Sequence, residues 1–232
     1  MKMRIVYFLL CWYGVIFSQD LPKDTNQITD VKYREDQFYA GVTYNFLENK
    51  PSGMSQQGLS GGLHLGFIRD FPINKKRNIA FGVGIGYSSN SYNHNLYLRE
   101  EGGEVTYQIL DNNEVSYQKN KLNMHVLEMP IQFRWRTSTA ESYKFWRIYT
   151  GVKIGYVVNS IVKYKGGLGD FKQNNTPHLN RLKTTADISF GWNTWNFHIA
   201  YGLNKLFNDD AKMNGQAIDI TEIKFGLMFY MF

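Results

Sequence analysis

From residue 37 onward the chain alternates with a period of two. "LEMPIQFRWR" (127–136) places Leu127, Met129, Ile131, Phe133 and Trp135 on one side and Glu128, Pro130, Gln132, Arg134 and Arg136 on the other. Successive side chains of a strand point to opposite faces, so this spacing demands a strand with one greasy and one charged face. "NIAFGVGIGYS" (78–88) repeats the arrangement with glycine on the second face: Ile79, Phe81, Val83, Ile85 and Tyr87 against Ala80, Gly82, Gly84, Gly86 and Ser88. No helical stretch of convincing length accompanies these segments.

Eight such segments are readable: Gln37 to Phe46, Leu59 to Arg69, Asn78 to Ser88, a fourth from near Leu122 to Arg136, Trp146 to Val158, Arg181 to Trp192, Trp195 to Leu203, and Ile218 to Phe232. Their connectors alternate in length. Long polar links (47–58, 89–120, 159–180, 204–217) follow the odd strands, and "DFPINKKR", "TSTAESYKF" and "NT" follow the even ones. Long loops at one end and tight turns at the other are what a transmembrane barrel shows, with loops outside and turns in the periplasm. The alternating pieces "YNHNLYL" and "EVTYQIL" predict strand extensions or an outer hairpin within 89–120. Pro130 lacks a ladder donor, so a bulge or local break is expected midway along the fourth strand.

A soluble barrel also alternates, so the sense of the alternation matters. A face so rich in glycine and charge makes a poor solvated surface. Inside a narrow closed barrel, glycine instead makes room for large polar neighbours. The apolar face carries Trp135, Tyr156, Trp192 and Trp195 near strand ends, as an aromatic girdle at the lipid boundary requires. The expected fold is therefore an all-β, eight-stranded antiparallel transmembrane barrel with a plugged polar interior. A lipocalin-like soluble binder, with apolar stripes inward, is the fold-level rival. The predicted lumen network is His64, Glu128, Arg134, Lys153, Lys183, Asp187 and His198, with Glu222 and Lys224 as further members. Such charges must pair, because an unpaired buried ion costs several kcal/mol.

Residues 1–18 have the layout of a secretory signal: Lys2 and Arg4, an apolar run from Ile5 to Phe17, then Ser18, after which cleavage is expected. Its loss removes Cys11, the chain's one cysteine, and with it any disulfide or thiolate chemistry. Residues 19–36 are polar and aperiodic and read as a flexible periplasmic lead-in, leaving 37–232 as the barrel domain. The net charge of +6 has no clustered Lys/Arg stripe, so nucleic acid is set aside. The histidines His64, His94, His125, His178 and His198 sit in no catalytic or metal motif. His64 or His198 with Ser60, Ser189 or Asp187 could be imagined as a nucleophile system, but polar lumen residues satisfying one another explain them more simply. "GGLGD" (166–170) lacks the following helix that a phosphate cradle needs. The acidic "NDD" and "REEGGE" have no metal-ligand spacing. The expectation is no enzyme, no cofactor and no metal.

"HVLEMPIQFRWR" and "FWRIYTGVKIGYVV" together resemble the PorT-type family of small outer-membrane barrels of the Bacteroidota. The resemblance rests on Leu127, Glu128, Met129 and Pro130, on Tyr149, Gly151, Lys153, Gly155 and Tyr156, and on the aromatic last strand ending at Phe232. That ending is similar to the signal read by barrel-assembly machinery. The resemblance implies an integral protein of the Gram-negative outer membrane and an accessory or scaffold role in an envelope complex, in type IX secretion or in outer-membrane protein assembly. Outer-membrane lipids, lipopolysaccharide and other membrane or periplasmic proteins are the expected partners. A narrow porin-like or solute-binding transport barrel is the alternative, with Arg134, Arg136 and Lys153 selecting anions.

Overall fold

In a computed structural model the chain is described over residues 36–111, 113–137 and 145–231. The expected signal segment, nearly all of the lead-in and Phe232 lie outside the described residues. Thirteen strands follow in chain order: β1 (Gln37–Glu48), β2 (Gly61–Pro72), β3 (Ile79–Asn93), β4 (Leu96–Glu101), β5 (Glu104–Ile109), β6 (Tyr117–Arg136), β7 (Trp146–Gly166), β8 (Phe171–Asn174), β9 (Leu182–Trp192), β10 (Trp195–Gly202), β11 (Lys212–Met213), β12 (Gln216–Ala217) and β13 (Thr221–Met231).

Eight of them, β1, β2, β3, β6, β7, β9, β10 and β13, pair antiparallel around a closed ring. The ring closes where β1 meets β13, from Phe38 opposite Met231 to Glu48 opposite Thr221. Closure leaves no free edge, which is the condition for strands to cross lipid. The side-chain phase is the one that the sequence predicts. Along β1, for example, Phe38, Val42, Tyr44 and Phe46 are exposed while Tyr39, Thr43 and Asn45 are buried. In β13 the Ile223, Phe225, Leu227, Phe229 and Met231 stripe turns outward, with Met228 and Tyr230 inward.

The alternation of connectors holds as well. Among the described residues the tight turns are 73–78 and 193–194. The last is a two-residue hairpin with Asn193 at φ 54°, a left-handed conformation that asparagine tolerates. The outer links contain structure of their own. β4 and β5 form the hairpin foreseen within 89–120, β8 adds to the outer end of β7, and β11 pairs with β12.

One expectation needs correction, and another is met in one of its two forms. β6 and β7 run to 20 and 21 residues, well past the boundaries read from the sequence, because their outer halves carry lysine and asparagine outward and no longer look like lipid-facing strands. Of the bulge or local break expected at Pro130, the break is what forms. The β3–β6 register is unchanged on either side of it, and only the Gly84 and Ile85 pairings are missing there, so the missing donor breaks the ladder without inserting a residue. Register shifts lie instead in the β6–β7 ladder, between Tyr117 and Lys119 and between His125 and Val126, where β7 accommodates an extra residue at Val158.

Candidate functional site

The barrel interior is built in three layers. At the periplasmic end, β2 delivers Asp70 opposite two arginines of β6. Arg136 donates through Nη1 (2.9 Å) and Nη2 (2.7 Å) to the two carboxylate oxygens, and Arg134 donates to Oδ1 at 2.9 Å. All three side chains are fully buried. Arg134 also donates to Gln37 and lies over the Tyr149 ring at 4.1 Å, while Arg147 stacks over Phe145 at 4.5 Å. A two-pronged arginine–carboxylate contact shielded from water is among the strongest polar contacts available to a protein.

The middle layer is a polar network. Lys183 and Lys224 flank Glu222 at 2.8 and 3.8 Å, and Tyr92 donates to the same carboxylate. Glu128 accepts from Ser88 and stands opposite Gly86 on β3 and Gly155 on β7, so its neighbours leave it room. Gln132 donates to Asp187 at 3.2 Å. Ser189 and His198 Nδ1 are 2.7 Å apart, and Lys153 Nζ approaches the other ring nitrogen at 3.3 Å. His64 contacts Thr43 at 3.0 Å, and its ring centroid is 6.4 Å from that of His198.

The outer layer is apolar. Leu47, Tyr92, Leu122, Met124, Val126, Val157, Val162 and Ile220 point inward from the wall and pack with Leu96, Leu98, Leu206 and Phe207 of the outer links. The sequence reading missed this layer because Leu47, Tyr92, Leu96, Leu98, Val162, Leu206 and Phe207 were counted as connector. Its local signal was the apolar residues at alternate positions in Leu122–Val126 and in "NLYL".

The seven residues read as one lumen network fall into separate groups. Arg134 belongs to the inner cluster and bonds Asp70, not Glu128 or Asp187. Asp70, Gln37, Arg136 and Arg147 are essential members that the network list omitted. Ser189 and His198 do meet, but the carboxyl of Asp187 is engaged by Gln132 and the other ring nitrogen of His198 faces Lys153, while Tyr230 donates to Ser189 at 3.2 Å. Ser189 and His198 are at most 1% exposed. The void beside Glu222 and Lys183 measures about 10 Å³, space for a single water. Among the described residues, no three His, Cys, Asp or Glu side chains converge as a metal site.

On the outside, Trp135, Trp192 and Trp195 ring the turn end, with Trp146 packed on Trp192 at 5.4 Å. Tyr156 is not at a strand end; it lies ten residues up β7 from Trp146. At ~3.3 Å per residue and a tilt of ~40°, that separation is about 25 Å of height, the thickness of the apolar band of such barrels. Tyr156 therefore marks the outer boundary, along with Tyr87.

A ring closed on itself, charged within and apolar without over one membrane thickness, is an integral outer-membrane β-barrel. The chain belongs to the family described as "Outer membrane protein beta-barrel domain", which matches residues 17–208. Among solved structures it is similar to Ail, the attachment invasion locus protein of Yersinia pestis. The structure of Ail in complex with the heparin analogue sucrose octasulfate is 13% identical over 86% of this chain and 99% of that one, with a TM-score of 0.39. A second Ail structure is 11% identical over 85% and 97%, with a TM-score of 0.37. No curated protein matches the chain.

His94, in the link above β3, supplies a pH response. Its imidazole is buried, which pushes its pKa down to about 4. The unfolded imidazole titrates near 6.5, so acidification from about pH 6.5 towards 4 favours states in which this region opens, and the stabilisation is complete above pH 6.5. The protection factor of residues 92–98, referred to the intrinsic exchange rate at each pH, should fall across that window, and His94→Gln should flatten the response; an equal profile for both proteins would refute it.

Proposed function

We propose that the protein is a non-conducting, non-enzymatic barrel that serves as an accessory or scaffold subunit of an envelope complex. The observation that supports this reading is the filled interior. The arginine–Asp70 cluster, the Glu222 network and the apolar outer layer succeed one another along the axis. A barrel with no through-path works through its outer surfaces: the lipid-facing wall, the structured outer links and whatever precedes β1. Type IX secretion and outer-membrane protein assembly are the machines to which the PorT-like strands point. In this reading residues 1–18 direct export and Phe232 contributes to recognition by the assembly machinery.

Reconstitution into planar bilayers tests the closed lumen. The expected result is no unitary current steps; stable anion-selective steps, lost on replacing Lys153, would favour the porin-like alternative. Affinity purification of the tagged protein from outer membranes in mild detergent tests the scaffold role. Stoichiometric recovery of a larger secretion or assembly barrel supports it, and recovery of the barrel alone removes it.

A further inference from the structure

The outer halves of β6 and β7, together with β8, carry a lysine cluster on the outward face. Lys119 is opposite Lys165, Lys121 opposite Lys163, and Lys163 opposite Lys172 on β8. Like charges placed directly across a ladder are destabilising. Among the described residues, no carboxylate lies within ion-pair distance of any of the five. Lys119, Lys121, Lys163 and Lys172 line one pocket of about 170 Å³ with Asn123 and Ile161. Lys121 has its pKa lowered by partial burial first, and then by Lys119 and Lys163. The arrangement is electrostatically incomplete and suited to a multivalent anion.

What lies further down the same strands narrows the identity of that anion. Leu127 and Met129 continue β6 inward from Lys121 and Asn123, and Ile154 and Tyr156 do the same on β7. With Leu65, Phe67, Ile85 and Tyr87 they line a largely apolar groove of about 950 Å³ on the lipid-facing wall, which Glu128 also borders. From Leu127 to Lys121 is six residues, roughly 20 Å along the strand, and lysine side chains can reach back towards the boundary. Tyr87 and His125, hydrogen-bonded to each other, mark the crossover between the groove and the lysines. An apolar groove below the boundary and paired cations above it fit one amphiphile: acyl chains under a phosphorylated headgroup.

We propose that this wall binds a phosphorylated glycolipid of the outer leaflet, its phosphates held by Lys119, Lys121, Lys163 and Lys172 and its acyl chains lying in the groove at Leu127 and Tyr156. The assignment rests on the outer-membrane location and not on the scaffold role, so either can fail alone.

The test uses the refolded barrel in neutral detergent, titrated with bisphosphorylated lipid A, with the same lipid after phosphatase treatment, with its deacylated disaccharide bisphosphate, and with a heparin oligosaccharide. Lipid A should bind at least tenfold more tightly than the dephosphorylated and the deacylated forms, with affinity falling as salt rises. The K119Q/K121Q/K163Q/K172Q variant should lose at least tenfold, and the corresponding four-arginine variant should retain binding. The glutamine variant should show the wild-type heat-modifiable band on gels and an unfolding midpoint no lower than wild type without lipid, because opposed charges have been removed. Equal affinity of wild type and glutamine variant, or of phosphorylated and dephosphorylated lipid, overturns the proposal. So does a preference for the heparin oligosaccharide, or equal binding of the deacylated headgroup.

Discussion

Asp70→Ala should cost the barrel about 3–5 kcal/mol, the loss expected when one partner of a buried ion pair is removed. Arg134 and Arg136 both spend donors on this single carboxylate, and neither side chain has access to water. Arg134 also donates to Gln37 and lies over the Tyr149 face. Urea unfolding followed by the heat-modifiable band should show the midpoint falling sharply, with poor recovery on refolding. Asp70→Asn separates charge from hydrogen bonding. Its amide keeps an acceptor for one arginine but turns N–H groups towards the other, so it should also be destabilised, though less than the alanine variant. A midpoint for Asp70→Ala within about 0.5 kcal/mol of wild type would mean that the cluster is not what holds the periplasmic end together.

Gly226→Ala should be equally damaging for a different reason. A Cβ at this position would lie 1.9 Å from the carbonyl oxygen of Val42 and 2.7 Å from the Cα of Thr43 on the neighbouring strand. Both are backbone atoms, so no rotamer change relieves the clash; β13 and β1 must separate. A Cβ at Gly151 would likewise run into the Ile131 carbonyl oxygen, which sets the same condition at the β6–β7 contact. Gly202→Ala is the control, since its nearest atoms are at 3.4 Å, closer than most such contacts but short of a collision. The expected result is little folded band for Gly226→Ala after refolding and a largely normal one for Gly202→Ala. Comparable yields from the two would refute the argument.

Much of this architecture is legible in the sequence because lipid enforces it. Every second residue of a crossing strand must be apolar, so Phe81, Val83 and Ile85, or Trp195, Phe197 and Ile199, declare both strand and orientation. The legibility ends where lipid ends. Lys119 and Lys121 stand outside the band, where nothing requires grease, and the outer half of β6 reads as loop. Asp70 escapes notice because Asp-Phe-Pro has the chemistry of a turn, and the inward Ile68 beside it blurs the polar stripe. Partners inside the lumen are hidden for another reason. Period two tells which face a charge occupies but not its height along the axis, so Arg134 could be placed in the lumen but not assigned to Asp70 over Glu128.

The seam between β1 and β13 joins the first and last strands of the ring, with Phe38 opposite Met231. Residues nearly two hundred positions apart must therefore meet before the sheet has no ends. Until then every partial structure exposes two ladders of unsatisfied amides, the template for association with another chain. Pairing so remote in sequence is also slow to find. The protein thus spends its most vulnerable interval as an almost complete sheet, and a chaperone in transit or a catalyst at the membrane would act most usefully by masking the β1 edge until β13 arrives.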